Sequence, residues 1–285
     1  INPSFLGTTY KRIVIGVDPN NENVVYFLLN TDGFGRKSAN YKGDIEWNGL
    51  YRYTYIKGDG SGDSGVWEDL SMNLPNGGVF DRWNVQGSYD MLVRVRPGNS
   101  QEVYIGGTNV YRSSTGFSDS THTEKIGGYK LKAQFPDVGV WANHHPDQHN
   151  LLFYPNDGSK LLSSNDGGVF QSVNLSASPF AWESLNNGYL TTQFYTVALD
   201  HGTPESPLLV GGAQDNNQLM TVSMDPRAPW STVYFGDGSY CAMEDGAKLH
   251  YFSKQQGKMI KATVDGSGNR TAYARIDPIG GEKYL

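Results

Sequence analysis

The sequence predicts an all-β protein, a β-propeller of four-stranded antiparallel blades. Three observations predict it. Short strand-like runs recur along all 285 residues, each bounded by Gly, Pro, Asn or Asp, and only short helical patterns fit anywhere. The 35 glycines and 18 tyrosines match a chain of many turns and aromatic strands. Groups of four strands restart near Arg12, Asp90, His149, Phe194 and Ser239. The last two intervals are about 45 residues, within the roughly 40–50 of a propeller blade. About five blades are therefore expected in residues 1–285.

Taken in order, residues 1–10 read as an irregular lead-in. Lys11–Val17 is a strand stopped by Asp18-Pro19-Asn20-Asn21, and Val24–Leu29 is the next. Thr31-Asp32-Gly33-Phe34-Gly35 is a loop, and the polar segment to Asn48 has no clear period. In Leu50–Ile56 tyrosine alternates with other residues, so three rings share one sheet face. The turn Gly58–Gly65 leads to Val66–Leu70. The second group holds Asp90–Val95, the turn Pro97–Ser100, Glu102–Ile105 and Val110–Ser114. In the third, Leu151–Tyr154 meets Pro155-Asn156-Asp157-Gly158, then Lys160–Ser164, the turn Asn165–Gly168, Val169–Val173 and Ala181–Leu185. The fourth runs Phe194–Leu199, Leu208–Gly212, the loop Ala213–Asn217, Leu219–Ser223 and Ser231–Phe235. The fifth runs Tyr240–Glu244, Lys248–Ser253, Lys258–Val264 and Ala272–Ile276. The longer early intervals read as loop insertions. Such groups cannot bury their faces alone. Set radially, each covers its neighbour and only short edges stay open. Lys283-Tyr284-Leu285 looks like another innermost strand, so the chain is expected to be part of a larger propeller, with a closed five-blade ring as the alternative.

The totals bound the function. Net charge is −6 with no basic run, which argues against nucleic acid as a partner. No apolar stretch reaches membrane-spanning length, so no membrane insertion is expected. Residues 1–30 show no signal-peptide pattern, and a removed signal would leave no trace. The single cysteine, Cys241, excludes an internal disulfide and a multi-cysteine metal site.

His144, His145, Asp147 and His149 form the densest chemical cluster. Imidazoles beside a carboxylate suit zinc or another divalent ion. The plainer reading has Asp147 and His149 at the entry of an innermost strand, satisfying loop backbone near the channel mouth. Asp59, Ser61 and Asp63 alternate like a calcium loop without its downstream Glu, so no cofactor is expected, with calcium or another divalent metal as the alternative. Asp32, Asp166, Asp215 and Asp237 sit at strand-end loops, where two carboxyls could act as a glycosidase pair. As turn formers they need no catalytic role. His145, Asp147, His149, Asp166, Gln214, Asp215 and Asn216 are the candidate ligand-contacting residues. Trp47, Trp83, Trp141 and Trp230 fall outside clear strands, where exposed rings could stack on sugars or anchor a partner. Trp67 and Trp182 read as core. No Ser/His/Asp triad or phosphate loop stands in a strand–helix context.

Several pieces together resemble a known family: Arg12–Tyr26, Val95–Gly107, Asp147–His149, Ser164–Phe170, Gly211–Asn217 and Gly236–Gly238. Their succession resembles the Asp-box (BNR-repeat) propellers related to the sortilin/Vps10 ectodomain and to xyloglucan-cleaving glycoside hydrolases. The likeness is closest to large secreted propellers of Bacteroidetes-type bacteria. The Asp-box itself is eroded: Ser61–Trp67 is one residue short, and Ser164–Gly168 lacks the tryptophan and lies between the second and third strands. The resemblance implies structural roles for Asp63 and Trp67. It implies a catalytic role for Asp32, whose setting is similar to the first-blade catalytic aspartate of the xyloglucanases, although the second glycine is shifted and the partner carboxylate of those enzymes lies in a second propeller. Sialidases share the box, but beyond Arg12 no matching arginine, tyrosine and glutamate set is found. The expectation is a secreted or cell-surface, non-catalytic propeller with a polysaccharide or protein ligand, joined to further blades or domains of a parent protein. A polysaccharide-cleaving hydrolase using Asp32, Asp215 or Asp237 is the first alternative, and a structural or adhesin segment the second.

Overall fold

The computed structural model describes residues 11–40, 43–134, 138–189, 192–246 and 248–277. The chain forms two compact units, residues 1–189 and 190–285. Among the described residues the regular structure is all strand, apart from three short 3₁₀ turns. It makes five antiparallel sheets, three in the first unit and two in the second.

The first blade holds β1 (Arg12–Val17), β2 (Val24–Asn30), β3 (Arg36–Ala39), β4 (Ile45–Tyr55) and β5 (Gly65–Asp69). β2 lies between β1 and β4. The 11-residue β4 takes two further partners: β3 pairs with its beginning and β5 with its end. Tyr51, Tyr53 and Tyr55 register with Asp69, Trp67 and Gly65, so the three rings do share a face. Trp67 packs there, 4.8 Å from the Tyr53 ring and 5.0 Å from Phe27.

The second blade is a plain meander of β6 (Leu92–Arg96), β7 (Asn99–Gly106), β8 (Val110–Ser113) and β9 (Thr123–Gly127). The third has β10 (Gln148–Tyr154), β11 (Asp157–Asn165), β12 (Gly168–Ser172) and β13 (Glu183–Ser184). In the second unit the fourth blade has β14 (Thr196–Leu199), β15 (Leu209–Gly212), β16 (Gln218–Thr221) and β17 (Ser231–Tyr234). The fifth has β18 (Cys241–Met243), β19 (His250–Lys254), β20 (Lys258–Val264) and β21 (Arg270–Arg275).

Within each unit the first strands of successive blades run side by side, β1 by β6 and β6 by β10 in one, β14 by β18 in the other. That is the arrangement of propeller blades. Apolar side chains fill the space between neighbours. Tyr26, Leu28 and Leu50 of the first blade meet Val93, Val95, Val103 and Ile105 of the second. Leu92, Tyr104 and Ile126 of the second meet Leu151, Phe153, Leu161 and Trp182 of the third. β6 thus sends Val93 and Val95 one way and Leu92 the other, as a two-residue period dictates. Val210, Met220 and Val233 meet Phe252 and Ile260 in the second unit. Each fully buried aliphatic chain contributes about 1.5–3 kcal/mol.

Several expectations are corrected. β3 and β9 carry no strand signal in the sequence, and β13 is much shorter than Ala181–Leu185. Trp83 is 3% exposed and belongs to the first core. Trp141 packs on the second core and donates Nε1–H to the Phe180 carbonyl at 3.2 Å. Trp47 lies inside β4 under Lys37, and Trp230 packs on Phe194 at 5.2 Å. At the eroded box, Asp63 is exposed in a 3₁₀ turn. The carboxylate that organises this loop is Asp59, which accepts the Ser61 N–H at 2.9 Å and the Ser61 hydroxyl at 2.7 Å. Lys283–Leu285 lies outside the described residues.

Candidate functional site

Where β2 ends, the first unit opens a cleft of about 340 Å³ lined by Lys11, Asn30, Asp32, Asp44, Glu46, Asn84 and Gln86, among others. The Thr31 N–H bonds the Trp47 carbonyl and the Phe34 N–H closes a turn on Thr31, which leaves Asp32 outside the sheet. Its carboxylate is exposed and paired with Lys11 at 3.0 Å. Glu46 is buried and committed: its oxygens accept the Val85 N–H at 3.4 Å and the Gly87 N–H at 3.3 Å. Asp44 closes its hairpin on Asn40. Glycosidase chemistry needs two working carboxyls roughly 5–9.5 Å apart. Here the buried carboxylate is spent on holding a loop.

That loop, Asn84–Asp90, forms one wall. Gln86, Gly87 and Ser88 have φ of 48°, 64° and 87°. The Asn84 Oδ1 accepts the Gln86 N–H at 2.8 Å, and Gln86 Nε2–H donates to Asp90 at 2.9 Å. Asp90 is fully buried, and its Oδ1, like that of Asp147, has no hydrogen-bond donor. Burial first, then the charge of Asp147, pushes the Asp90 carboxyl up to about 8. Burial and then the charge of Asp166 push Asp147 up as well.

The structure therefore gathers Asp147, His149 and Asp166, with Asp90 added. The Asp166 N–H bonds the Asp147 carbonyl at 3.3 Å, and His149 Nε2 meets Asp166 Oδ1 at 2.5 Å. The His149 ring stands edge-on to Tyr89 at 6.0 Å. His145 closes on its own turn, Nδ1 donating to the Pro146 carbonyl at 3.1 Å. His144 is no metal ligand. It is buried, stacks on Trp182 at 4.3 Å, and its Nδ1 accepts the Gly128 N–H at 3.0 Å. Nε2 then carries the proton and donates to Ser163 Oγ at 3.0 Å. Burial, helped by His145, pushes this imidazole down to about 3, so it stays neutral. Among the described residues no group of three His, Cys, Asp or Glu side chains can hold a metal ion.

The second unit has its own cleft of about 250 Å³, lined by Tyr195, Gln214, Asp237, Gly238, Ser239, Lys254 and Gln255. The β15–β16 loop builds it. Asp215 and Asn217 take φ of 58° and 74°, which Asp and Asn tolerate better than most residues. Asn217 Oδ1 accepts the Gly236 N–H at 3.1 Å, and Asp237 Oδ1 accepts the Asp215 N–H at 3.2 Å. Tyr195 donates its hydroxyl to Gln214 Oε1. Tyr195, Phe235 and Tyr240 are 57%, 69% and 72% exposed, so bare rings lie on or beside the lining segments. Of the expected residues, Gln214 and Asp237 line this cleft, whereas Asp215 and Asn216 lie on its supporting loop. Asp32 belongs to the first unit. Asp90, Glu46 and Gln86 escaped the sequence reading, although Asp90 stands just before an apolar strand as Asp147 does.

No family model and no curated protein matches the chain. Among solved structures, it is similar to a GH74 enzyme of Niastella koreensis at 13% identity and a TM-score of 0.37, over 91% of this chain and 48% of that one. An ancestral GH74 enzyme gives 13% and 0.28, over 93% and 38%. The β-propeller domain of Myceliophteria thermophila Cps50 (Swd1) gives 11% and 0.30, over 88% and 70%. The chain spans about half the length of the Niastella koreensis enzyme, 48%.

Proposed function

We propose that this chain is a secreted or cell-surface propeller that binds carbohydrate without cleaving it, with the cleft of the second unit as the saccharide site. The observation that supports this is the mixture of groups there. Gln214, Asp237, Ser239, Lys254 and Gln255 offer donors and acceptors for sugar hydroxyls, and Tyr195 offers an exposed ring to the apolar face of a pyranose. A small, polar, concave site of this kind suits a saccharide better than a protein anchor, which needs a larger apolar patch. Binding without hydrolysis is supported by the commitment of the carboxylates: Asp237 holds the Asp215 amide and Glu46 holds two loop amides.

The extracellular setting is supported by the sequence resemblance to secreted Asp-box propellers. Titration calorimetry with a panel of neutral and uronic oligosaccharides is expected to show binding. Tyr195→Ala is expected to weaken it on the order of tenfold, about 1.4 kcal/mol. Absence of any binding would favour a spacer role. A second reading, hydrolysis led by Asp32, is favoured by the exposure of that carboxylate in the larger cleft. Polysaccharide cleavage abolished by Asp32→Asn would establish it, and with no cleavage detected it falls.

A further inference from the structure

We propose that Asp90 and Asp147 share a single proton across the junction of the second and third blades, and that this proton holds the loop walling the Asp32 cleft in place. The inference is independent of what either cleft binds.

The geometry carries it. Asp90 precedes β6 and Asp147 precedes β10, the adjacent first strands of two blades. The two carboxyls act directly on each other. Ionised carboxylates only accept, so a hydrogen bond between them forms only with a proton on one of them. Counted without that proton, Oδ1 of each acid is buried with no donor. A lone proton between them satisfies both atoms, as in carboxyl dyads that cannot ionise together.

The surroundings supply no substitute charge. Asp166 faces both acids and adds negative potential. Its partner His149 is exposed and turned to it. His145 favours the charged form of Asp147, but less than burial and the charge of Asp166 oppose it. Arg12 of β1, the nearby cation, donates to the Ser88 and Tyr89 carbonyls. Gln86 presents a donor to Asp90, which occupies an oxygen that a cation would need. A proton therefore fits this pair better than a metal ion does.

The loop follows from the pair. Residues 85–90 return on themselves, with the Ser88 and Asp90 N–H groups on the Val85 carbonyl. Gln86 joins the cleft lining to Asp90. When the proton leaves, two adjacent charges repel at the base of this loop and the cleft wall loosens.

The sign is fixed by linkage. The folded-state affinity of Asp90 for its proton is raised, to about 8, above an ordinary carboxylate near 4. The stabilising contribution is fully present below the unfolded value, declines as pH rises, and is lost once pH passes the folded one. Thermal melts of the full chain from about pH 5 to about pH 9 are expected to show the melting temperature falling by roughly 5 °C. Asp90→Asn and Asp147→Asn should flatten that slope. Hydrogen exchange of residues 84–90 should quicken over the same range in the native sequence and not in Asp90→Asn. If neither variant folds, carbon NMR of the native protein decides, since one Asp carboxyl should titrate near 8. A flat melting profile, or all Asp carboxyls titrating below about pH 5, overturns the proposal. So does calcium restoring the melting temperature at about pH 9 in the native protein and not in Asp90→Asn, which would mean a cation site.

Discussion

Trp182→Ala is expected to lower the unfolding free energy by about 3–5 kcal/mol, read from urea denaturation of the full chain. Trp182 is 3% exposed and fills the core between the second and third blades. Its ring stacks on His144 at 4.3 Å and meets Phe180 at 5.2 Å. Its Nε1–H donates to the Ile126 carbonyl of β9 at 2.7 Å. Truncation removes a large apolar surface, opens a cavity and leaves that carbonyl without its donor. It also uncovers a neutral histidine whose hydrogen bonds to Gly128 and Ser163 tie two blades. Trp182→Phe keeps most of the stack and loses the donor, so about 1–2 kcal/mol is expected. Equal losses for the two variants would mean that the hydrogen bond outweighs the packing.

Gly212→Ala is the second large effect, expected at about 2–3 kcal/mol. A Cβ at this end of β15 would stand 1.9 Å from the Ser239 carbonyl oxygen and 2.8 Å from its carbon. Both are backbone atoms, so no rotamer relieves the clash. Ser239 also receives the Thr196 hydroxyl at 3.2 Å and lines the cleft of the second unit. Displacing it should weaken saccharide binding together with stability. Gly266→Ala, where an added Cβ meets nothing within 4 Å, is the control and should move neither. A neutral result for Gly212→Ala in the same denaturation series would show that the Ser239 loop gives way freely.

Strands such as Val24–Leu29 and Leu151–Tyr154 were legible because an apolar run stands beside a turn cluster, and the structure makes them parts of β2 and β10. β9 was illegible for the opposite reason. Its Thr-Glu-Lys-Ile-Gly includes Lys125, which is buried and paired with Asp81 at 2.7 Å. A buried lysine reads as surface until its distant partner is known. Trp83, outside any clear strand, gives no sign in sequence of the partners that bury it, among them Tyr111 at 6.0 Å. At the chemical cluster, His149 and Asp166 were named because each stands in a dense polar stretch. Asp90 was not, because its significance comes from Asp147, far along the chain. His144 looked like a ligand only while its packing against Trp182 was unknown. Pattern and turn chemistry report what neighbours in sequence decide. They are silent on which carboxyls fold brings face to face.

β4 outruns the strands beside it, and this has a bearing on how recognition could be redesigned. Its leading end and β3 form a spur beyond the main ladder, and Glu46 on that spur reaches the cleft wall. The adjoining wall, Asn84 to Gln86, comes from a connector that Glu46 holds through its Val85 and Gly87 N–H groups. The sides of the hollow are thus largely made from excursions, while the load of holding the sheet rests on β1, β2 and the rest of β4. Exposed positions on these excursions, such as Asp44 and Ile45, can be exchanged to reshape the hollow, while Trp83, Val85 and Asp90 must stay because they are buried in the blades.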